Sequence, residues 1–225
     1  MIDAFLRDQY RLLPDGLRRA ALVRRRVRLW LKAGIVFIHI PRAAGTSINH
    51  ALYGRFMGHV RASDIRRWAP SDVKALPSFA VTRNPWDRLV SAYRFARRGH
   101  GVGGKLQAGL WRPEQYRIPQ FDTLERFVTD WLAERDVRTL DGIFQPQHMF
   151  VCDSVGNVLV DHIGRLDDLR PTLEFIRHHI GTAPRVDQSN RSGERLDYKQ
   201  FYAPKLTKII AHIYREDIER FGYMP

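Results

Sequence analysis

Apolar residues recur along this chain in two rhythms, and these rhythms lay out its elements. Leu17, Ala20, Val23, Val27 and Trp30 step by three or four, the spacing of one helix face, with arginines around the rest. Ile35-Val36-Phe37-Ile38-His39-Ile40 is almost continuously apolar, as expected of a strand covered on both faces in the middle of a parallel sheet. Pro41 ends it, and Arg42-Ala43-Ala44-Gly45-Thr46-Ser47 leads into a helix through Ile48-Asn49-His50-Ala51-Leu52. Phe79-Ala80-Val81-Thr82 reads as a second buried strand. It runs through Arg83-Asn84-Pro85 into a helix over residues 86–97, with Asn84 as cap and Pro85 in the first helical position.

Further helices are expected over 121–134 and 169–179, and strands over 149–152 and 158–163. Pro204 opens a last helix in which Leu206, Ile209, Ile210, Ile213 and Tyr214 share a face. Residues 99–120, rich in Gly, Arg and Gln, read as a surface loop. Strands alternating with helices predict an α/β fold with a central parallel sheet flanked by helices. At 225 residues and 44% apolar content the chain suits one such domain, 34–225, preceded by a basic helical segment, 1–33.

Charge narrows the classes of partner. Lys and Arg number 37 against 24 acidic residues, a net charge of +13 that attracts anionic small molecules, polyanions or an acidic surface. Residues 1–33 carry nine basic side chains against three aspartates. Two readings stand for that segment: a solvated helix docked by its apolar stripe, which is favoured, or a face that meets an acidic membrane surface or nucleic acid. A lone cysteine, Cys152, excludes an intramolecular disulfide and fits a reducing compartment. No apolar run approaches the roughly 18–20 residues that cross a bilayer, and a soluble, cytoplasmic chain is expected.

The two strand-to-helix turns carry the candidate chemistry. A helix start presents unpaired N–H groups and the positive end of its dipole, which together favour a phosphate or sulfate. Gly45 would let the backbone approach such an anion, Thr46 and Ser47 would add hydroxyls, and Arg42 a full charge. The nucleotide-triphosphatase pattern G-x-x-x-x-G-K-[ST] fails here: with Gly45 as its second glycine, Ile40 stands at the first and Thr46 at the lysine. In the second turn, Ser91 follows Arg83 by eight residues, slightly over two helical turns, so both can face one anion. Arg88 either joins them or pairs with Asp87, and Arg83 by itself could be a structural ion pair.

These segments resemble a known family. His39-Ile40-Pro41-Arg42-Ala43-Ala44-Gly45-Thr46-Ser47 is similar to the 5′-phosphosulfate loop of sulfotransferases that use 3′-phosphoadenosine 5′-phosphosulfate (PAPS). The stretch from Val81 to Tyr93 resembles their 3′-phosphate motif, including the Arg83-to-Ser91 spacing. The carbohydrate branch that includes chondroitin and uronyl 2-O-sulfotransferase relatives looks most similar, and the likeness spans residues 35–223 with weaker segments at 161–169, 190–192 and 221–223. The resemblance implies a P-loop-like fold and PAPS as donor, bound by Arg42, Ala44, Gly45, Thr46, Ser47, Arg83 and Ser91. It also implies no metal. The acceptor would be a hydroxyl of a carbohydrate or glycolipid, with no nucleic acid as partner. Arg42 stands where the family usually has lysine, and a planar bidentate guanidinium does not replace a compact ammonium like for like.

In-line transfer needs a base for the acceptor hydroxyl, and histidine suits neutral pH. Among nine histidines, His59 lies 24 residues before Arg83, close to where related sulfotransferases place theirs. His148 is the reserve candidate, and His39 is expected to pack inside its strand. Arg191, Ser192 and Arg195 would lie in a polar loop, with two readings: a solvated loop, which is favoured, or one that closes over the nucleotide. Gly99-His100-Gly101-Val102-Gly103-Gly104 matches G-x-G-x-x-G but follows no strand, so a dinucleotide site is set aside. His148 and Cys152 lack further ligands at zinc spacing. The alternatives to sulfuryl transfer are a nucleotide-dependent kinase with a modified phosphate loop and a non-catalytic polyanion-binding module.

Overall fold

The apolar runs pair as adjacent parallel strands. A computed structural model describes residues 14–98, 110, 113–183 and 198–225. In it β1 (Val36–Ile38), β2 (Ser78–Thr82) and β3 (His162–Arg165) form a parallel sheet in the order β1-β2-β3. Phe37 lies opposite Phe79, and Ala80 opposite Ile163. All of β1 and the last four residues of β2 are buried, which accounts for their unbroken apolar character.

Helices cover the sheet. Before β1 stand α1 (Asp15–Arg24) and α2 (Val27–Ala33). Between β1 and β2 run α3 (Gly45–Tyr53), α4 (Ala62–Trp68) and the single turn α5 (Ser71–Lys74). After β2 come α6 (Pro85–Arg98), α7 (Leu124–Arg126) continuing into a π-helical turn Phe127–Leu132, and the short α8 (His148–Val151). The chain ends with α9 (Arg170–Ile180), α10 (Pro204–Ile213) and α11 (Arg215–Phe221). No helix of the described residues is long and apolar enough to cross a membrane.

Two apolar clusters meet at the sheet. One joins β1 and β2 to α3, α4 and α5, and it takes in Val23 and Trp30 from the basic N-terminal helices. The other packs the apolar face of α6 against α10 and an aromatic group of Tyr116, Phe121, Phe127, Trp131 and Phe144. The N-terminal stripe is therefore docked, but as two helices broken at Arg25 and Arg26. Leu17 at its outer end stays exposed.

Several local expectations are corrected. The strand expected over 149–152 is the helical turn α8, because the buried Asp217 carboxylate accepts from the backbone N–H groups of Gln147 (2.6 Å) and His148 (2.9 Å) and caps it. Of the run 158–163, Val158 makes only an isolated bridge to Cys152, and β3 begins at His162. The helix expected over 121–134 is a short α turn started by a Thr123 cap and carried on by the π turn. The last helix is α11 rather than the one Pro204 opens. Residues 99–109, with the Gly99-to-Gly104 pattern, lie outside the described residues.

Trp30 is 1% exposed within the sheet's own core. Trp30→Ala is expected to lower stability by about 3–5 kcal/mol, the range for truncating a large buried aromatic. Urea denaturation measures this, and a loss near zero would mean that the N-terminal helices merely rest on the surface.

Candidate active site

Parallel pairing of β1 and β2 brings the two strand-to-helix turns to one edge of the sheet, the carboxyl edge where open α/β folds bind ligands. In the first turn, Arg42 (φ 66°) and Ala44 (φ 57°) are both left-handed without being glycine. Each costs about 1–2 kcal/mol. Two buttresses from the second turn offset that strain. The Arg88 Nε donates to the Pro41 carbonyl at 2.9 Å, and the Arg83 Nη1 donates to the Arg42 carbonyl at 3.0 Å. Charge-assisted hydrogen bonds of this kind are worth about 1.5–3 kcal/mol each, the same order as the strain they oppose.

Left-handed residues flanking Ala43 give the turn the character of an anion-binding nest. It opens directly onto α3, whose start carries no side-chain cap. The N–H groups at such a helix start and the positive end of its dipole favour an anion. Gly45 also meets a packing constraint: a Cβ there would come within 2.0 Å of the His39 ring.

The second turn is built differently. Asn84 caps α6, accepting from the Trp86 N–H at 3.1 Å, while its amide donates to the Tyr198 hydroxyl and the Met224 carbonyl. That helix start is thus satisfied internally, and side chains must supply any anion contact. Arg83 pairs with Asp87 through Nε and Nη2, both at 2.8 Å, as well as bracing Arg42. Three of its five N–H groups are engaged in this way, and two remain. The Arg83 backbone is clamped from both sides by the fully buried Gln147, whose Oε1 accepts from its N–H and whose Nε2 donates to its carbonyl. Asp87 is bonded by Arg83 and not by Arg88, which is 2% exposed and holds the Pro41 and Gly142 carbonyls.

Arg42 links the turns. Its Nε and Nη2 donate to the Ser91 Oγ at 3.0 and 2.7 Å, and its guanidinium lies over the Phe95 ring at 4.4 Å. A fork on a hydroxyl and a stacked planar cation are both arginine geometries that a lysine cannot reproduce. Ser91 accepts twice and keeps its own O–H to give to a ligand. Burial, then the charges of Arg83, Arg98 and Arg88, lower the Arg42 pKa to about 10. It stays protonated at neutral pH, in a cluster of like charges that an anion would relieve.

His59 stands within electrostatic reach of this cluster. Its Nδ1 lies 2.9 Å from the His39 carbonyl, which can only accept, so the ring carries its proton on Nδ1 and leaves Nε2 as the acceptor. Burial foremost, then Arg88, Arg42 and Arg26, against the hydrogen bond to His39, push its pKa down to about 4. His39 is buried just beyond β1, as expected. It accepts from the Asn49 amide at 2.9 Å and donates to the Gly58 carbonyl, with its ring 4.4 Å from that of His59. The reserve histidine, His148, is tied to Asp217 (2.8 Å) and Glu216 (3.2 Å) under α11.

The structure thus brings Arg42, Ala44, Gly45, Thr46, Ser47, Arg83, Ser91 and His59 to one edge of the fold. It adds Gln147 and Asn49, which no pattern in the sequence singles out, because one acts on main-chain atoms and the other on another side chain. Arg191, Ser192 and Arg195 lie outside the described residues. No group of three or more His, Cys, Asp or Glu among the described residues could hold a metal ion.

Both His39 and His59 are held uncharged, with pKa values below the ordinary histidine range, so the unfolded chain binds more protons below about pH 6.5. Stability should therefore fall as pH drops from 7 to 5, by up to about 1.4 kcal/mol per pH unit for each histidine. Urea melts across that range test this. His59→Gln should make the slope shallower, and an unchanged slope would show that His59 is not held neutral.

The model of the sulfotransferase family matches residues 31–224. No curated protein and no solved structure gives a match. The match takes in the sheet, both strand-to-helix turns and every helix from α3 to α11, and so this chain, a three-stranded parallel sheet flanked by helices with an arginine-rich carboxyl edge, belongs to the sulfotransferase family.

Proposed function

We propose that the chain transfers the sulfuryl group of PAPS to a hydroxyl of a carbohydrate or glycolipid. One observation carries this reading: an uncapped helix start and three guanidiniums, Arg42, Arg83 and Arg88, converge around a turn that Arg42 and Ser91 join to the second motif. A donor with a phosphosulfate at one end and a 3′-phosphate at the other matches two linked cationic turns. The nest and the N–H groups of α3 would take the 5′ end, while the free N–H groups of Arg83 and the Ser91 hydroxyl would take the 3′-phosphate.

The reaction needs in-line approach and stabilisation of charge on the departing phosphate. As the acceptor oxygen bonds to sulfur, the bond from sulfur to the bridging oxygen of the 5′-phosphate breaks. The electron pair leaves on that oxygen, facing Arg42 and the start of α3. The acceptor proton passes to His59 Nε2, the nitrogen that the His39 carbonyl leaves unprotonated. Donor phosphates would also offset the charges of Arg42 and Arg88, which help to depress the His59 pKa, and so make the base stronger when the donor is in place. The general positive balance suits an anionic glycan acceptor.

Calorimetry tests donor recognition. Ser91→Ala and Arg83→Ala should weaken binding of 3′-phosphoadenosine 5′-phosphate more than binding of adenosine 5′-phosphate, and equal losses would refute a 3′-phosphate role. Turnover tests the base. His59→Ala should reduce release of 3′-phosphoadenosine 5′-phosphate, measured against a panel of glycan and glycolipid acceptors, by ~10²–10⁴ with little loss of nucleotide affinity. In the same assay Arg42→Lys should keep measurable activity and Arg42→Ala should not. Wild-type turnover in His59→Ala would move the base elsewhere.

A further inference from the structure

We propose that Arg26, in the break between α1 and α2, is a positioning residue for His59, so that the basic N-terminal segment is part of the catalytic machinery. The inference rests on His59 being the base, and it extends that reading to a residue outside both nucleotide turns.

Three consecutive residues are tethered at this point. The Arg26 Nε donates to the Met57 carbonyl, while its Nη1 donates back to the Leu22 carbonyl at the end of α1. The His39 ring donates to the Gly58 carbonyl. His59 Nδ1 donates to the His39 carbonyl at 2.9 Å. Residues 57, 58 and 59 are therefore gripped in turn by Arg26, His39 and His39 again. Remove Arg26, and the Met57 carbonyl loses its charged donor two residues before the base.

Gly58 bears out the closeness of this packing. Its φ of +73° disfavours any side chain, and a Cβ there would come within 2.7 Å of the Arg26 Nη2. The guanidinium fills the space that a larger residue at 58 would need. A helix-capping role alone would use the bond to Leu22 and has no need of the second bond to Met57. Nor is the segment a loose appendage, since Val23 and Trp30 on either side of Arg26 are buried in the core around the sheet.

Charge supplies a readout that packing alone would not move. The groups that act electrostatically on His59 are His39 beside it and the cations Arg88, Arg42 and Arg26. Burial is the main reason the ring resists protonation, and the Arg26 charge adds to it. Neutralising Arg26 should make His59 easier to protonate, whereas a purely structural arginine would leave its titration alone.

The experiment follows the His59 imidazole by ¹⁵N NMR through a pH titration of the full chain. It is combined with calorimetry of 3′-phosphoadenosine 5′-phosphate and with turnover. In Arg26→Met the His59 midpoint should rise, turnover should fall about 10- to 100-fold as expected for a reacting group displaced by up to ~1 Å, and nucleotide affinity should stay within about twofold. Arg26→Lys, which keeps the charge and can reach one carbonyl, should hold the midpoint and recover part of the turnover. An unchanged midpoint together with unchanged turnover in Arg26→Met overturns the proposal. Should that variant fail to fold, Arg26→Gln keeps a donor for Met57 without the charge, and an unmoved midpoint there overturns it equally. If His59→Ala alone keeps full turnover, the assignment of the base fails, and the NMR midpoint still decides whether Arg26 acts on His59.

Discussion

Two guanidiniums, one from the second turn and one from the helix it opens, gripping two consecutive carbonyls of the neighbouring turn form the contact on which the rest of this site depends. Arg88 and Arg83 reach from the start of α6 to Pro41 and Arg42, and they hold a backbone that would otherwise relax out of its left-handed conformation. The grip is possible because β1 and β2 are parallel neighbours, which places both turns on one edge. It also explains why a turn without glycine at either strained position persists: the two charge-assisted bonds that maintain it are of the same order as the strain. Behind this stands Gln147, clamping the Arg83 main chain, and behind Gln147 stands the buried Asp217 carboxylate that fixes its backbone.

The same contact concentrates charge. Arg42, Arg83 and Arg88 lie together with one carboxylate, Asp87, bonded directly among them, and Arg98 adds its field to Arg42. Like charges held this close by main-chain contacts form a fixed positive cluster that an anion would relieve. The arginine at position 42 is integral to this arrangement. It bonds to Ser91 with two nitrogens and stacks on Phe95, so the first turn and the second share one cation. A lysine could supply charge to one turn but could not join the two.

The histidines show a parallel economy. Their tautomers are set by main-chain carbonyls rather than by carboxylates, His59 by His39 and His39 by Gly58. Both imidazoles are held neutral, and in His59 the Nε2 is left as the acceptor. The geometry links β1, the start of α3 through Gly45, and the segment after α3 into one unit.

Much of this was legible from residue order. The paired apolar runs ending in Pro41 and in Arg83-Asn84-Pro85 specify two buried strands entering helices, because strand burial and helix starts depend on neighbouring residues alone. Arg42, Gly45 and the Arg83-to-Ser91 spacing were likewise visible. What pattern could not reveal depends on groups far apart in the chain. Asp217 turns a strand-like run, 149–152, into a helix, since a capping carboxylate 69 residues away outweighs local β preference. Asn84 caps the second helix start, and Arg88 braces the first turn because Pro41 lies within its reach. Local sequence therefore determined which elements form and which residues carry charge. Only tertiary packing decided where each charge points, because a hydrogen bond is chosen by distance in space and not by separation along the chain.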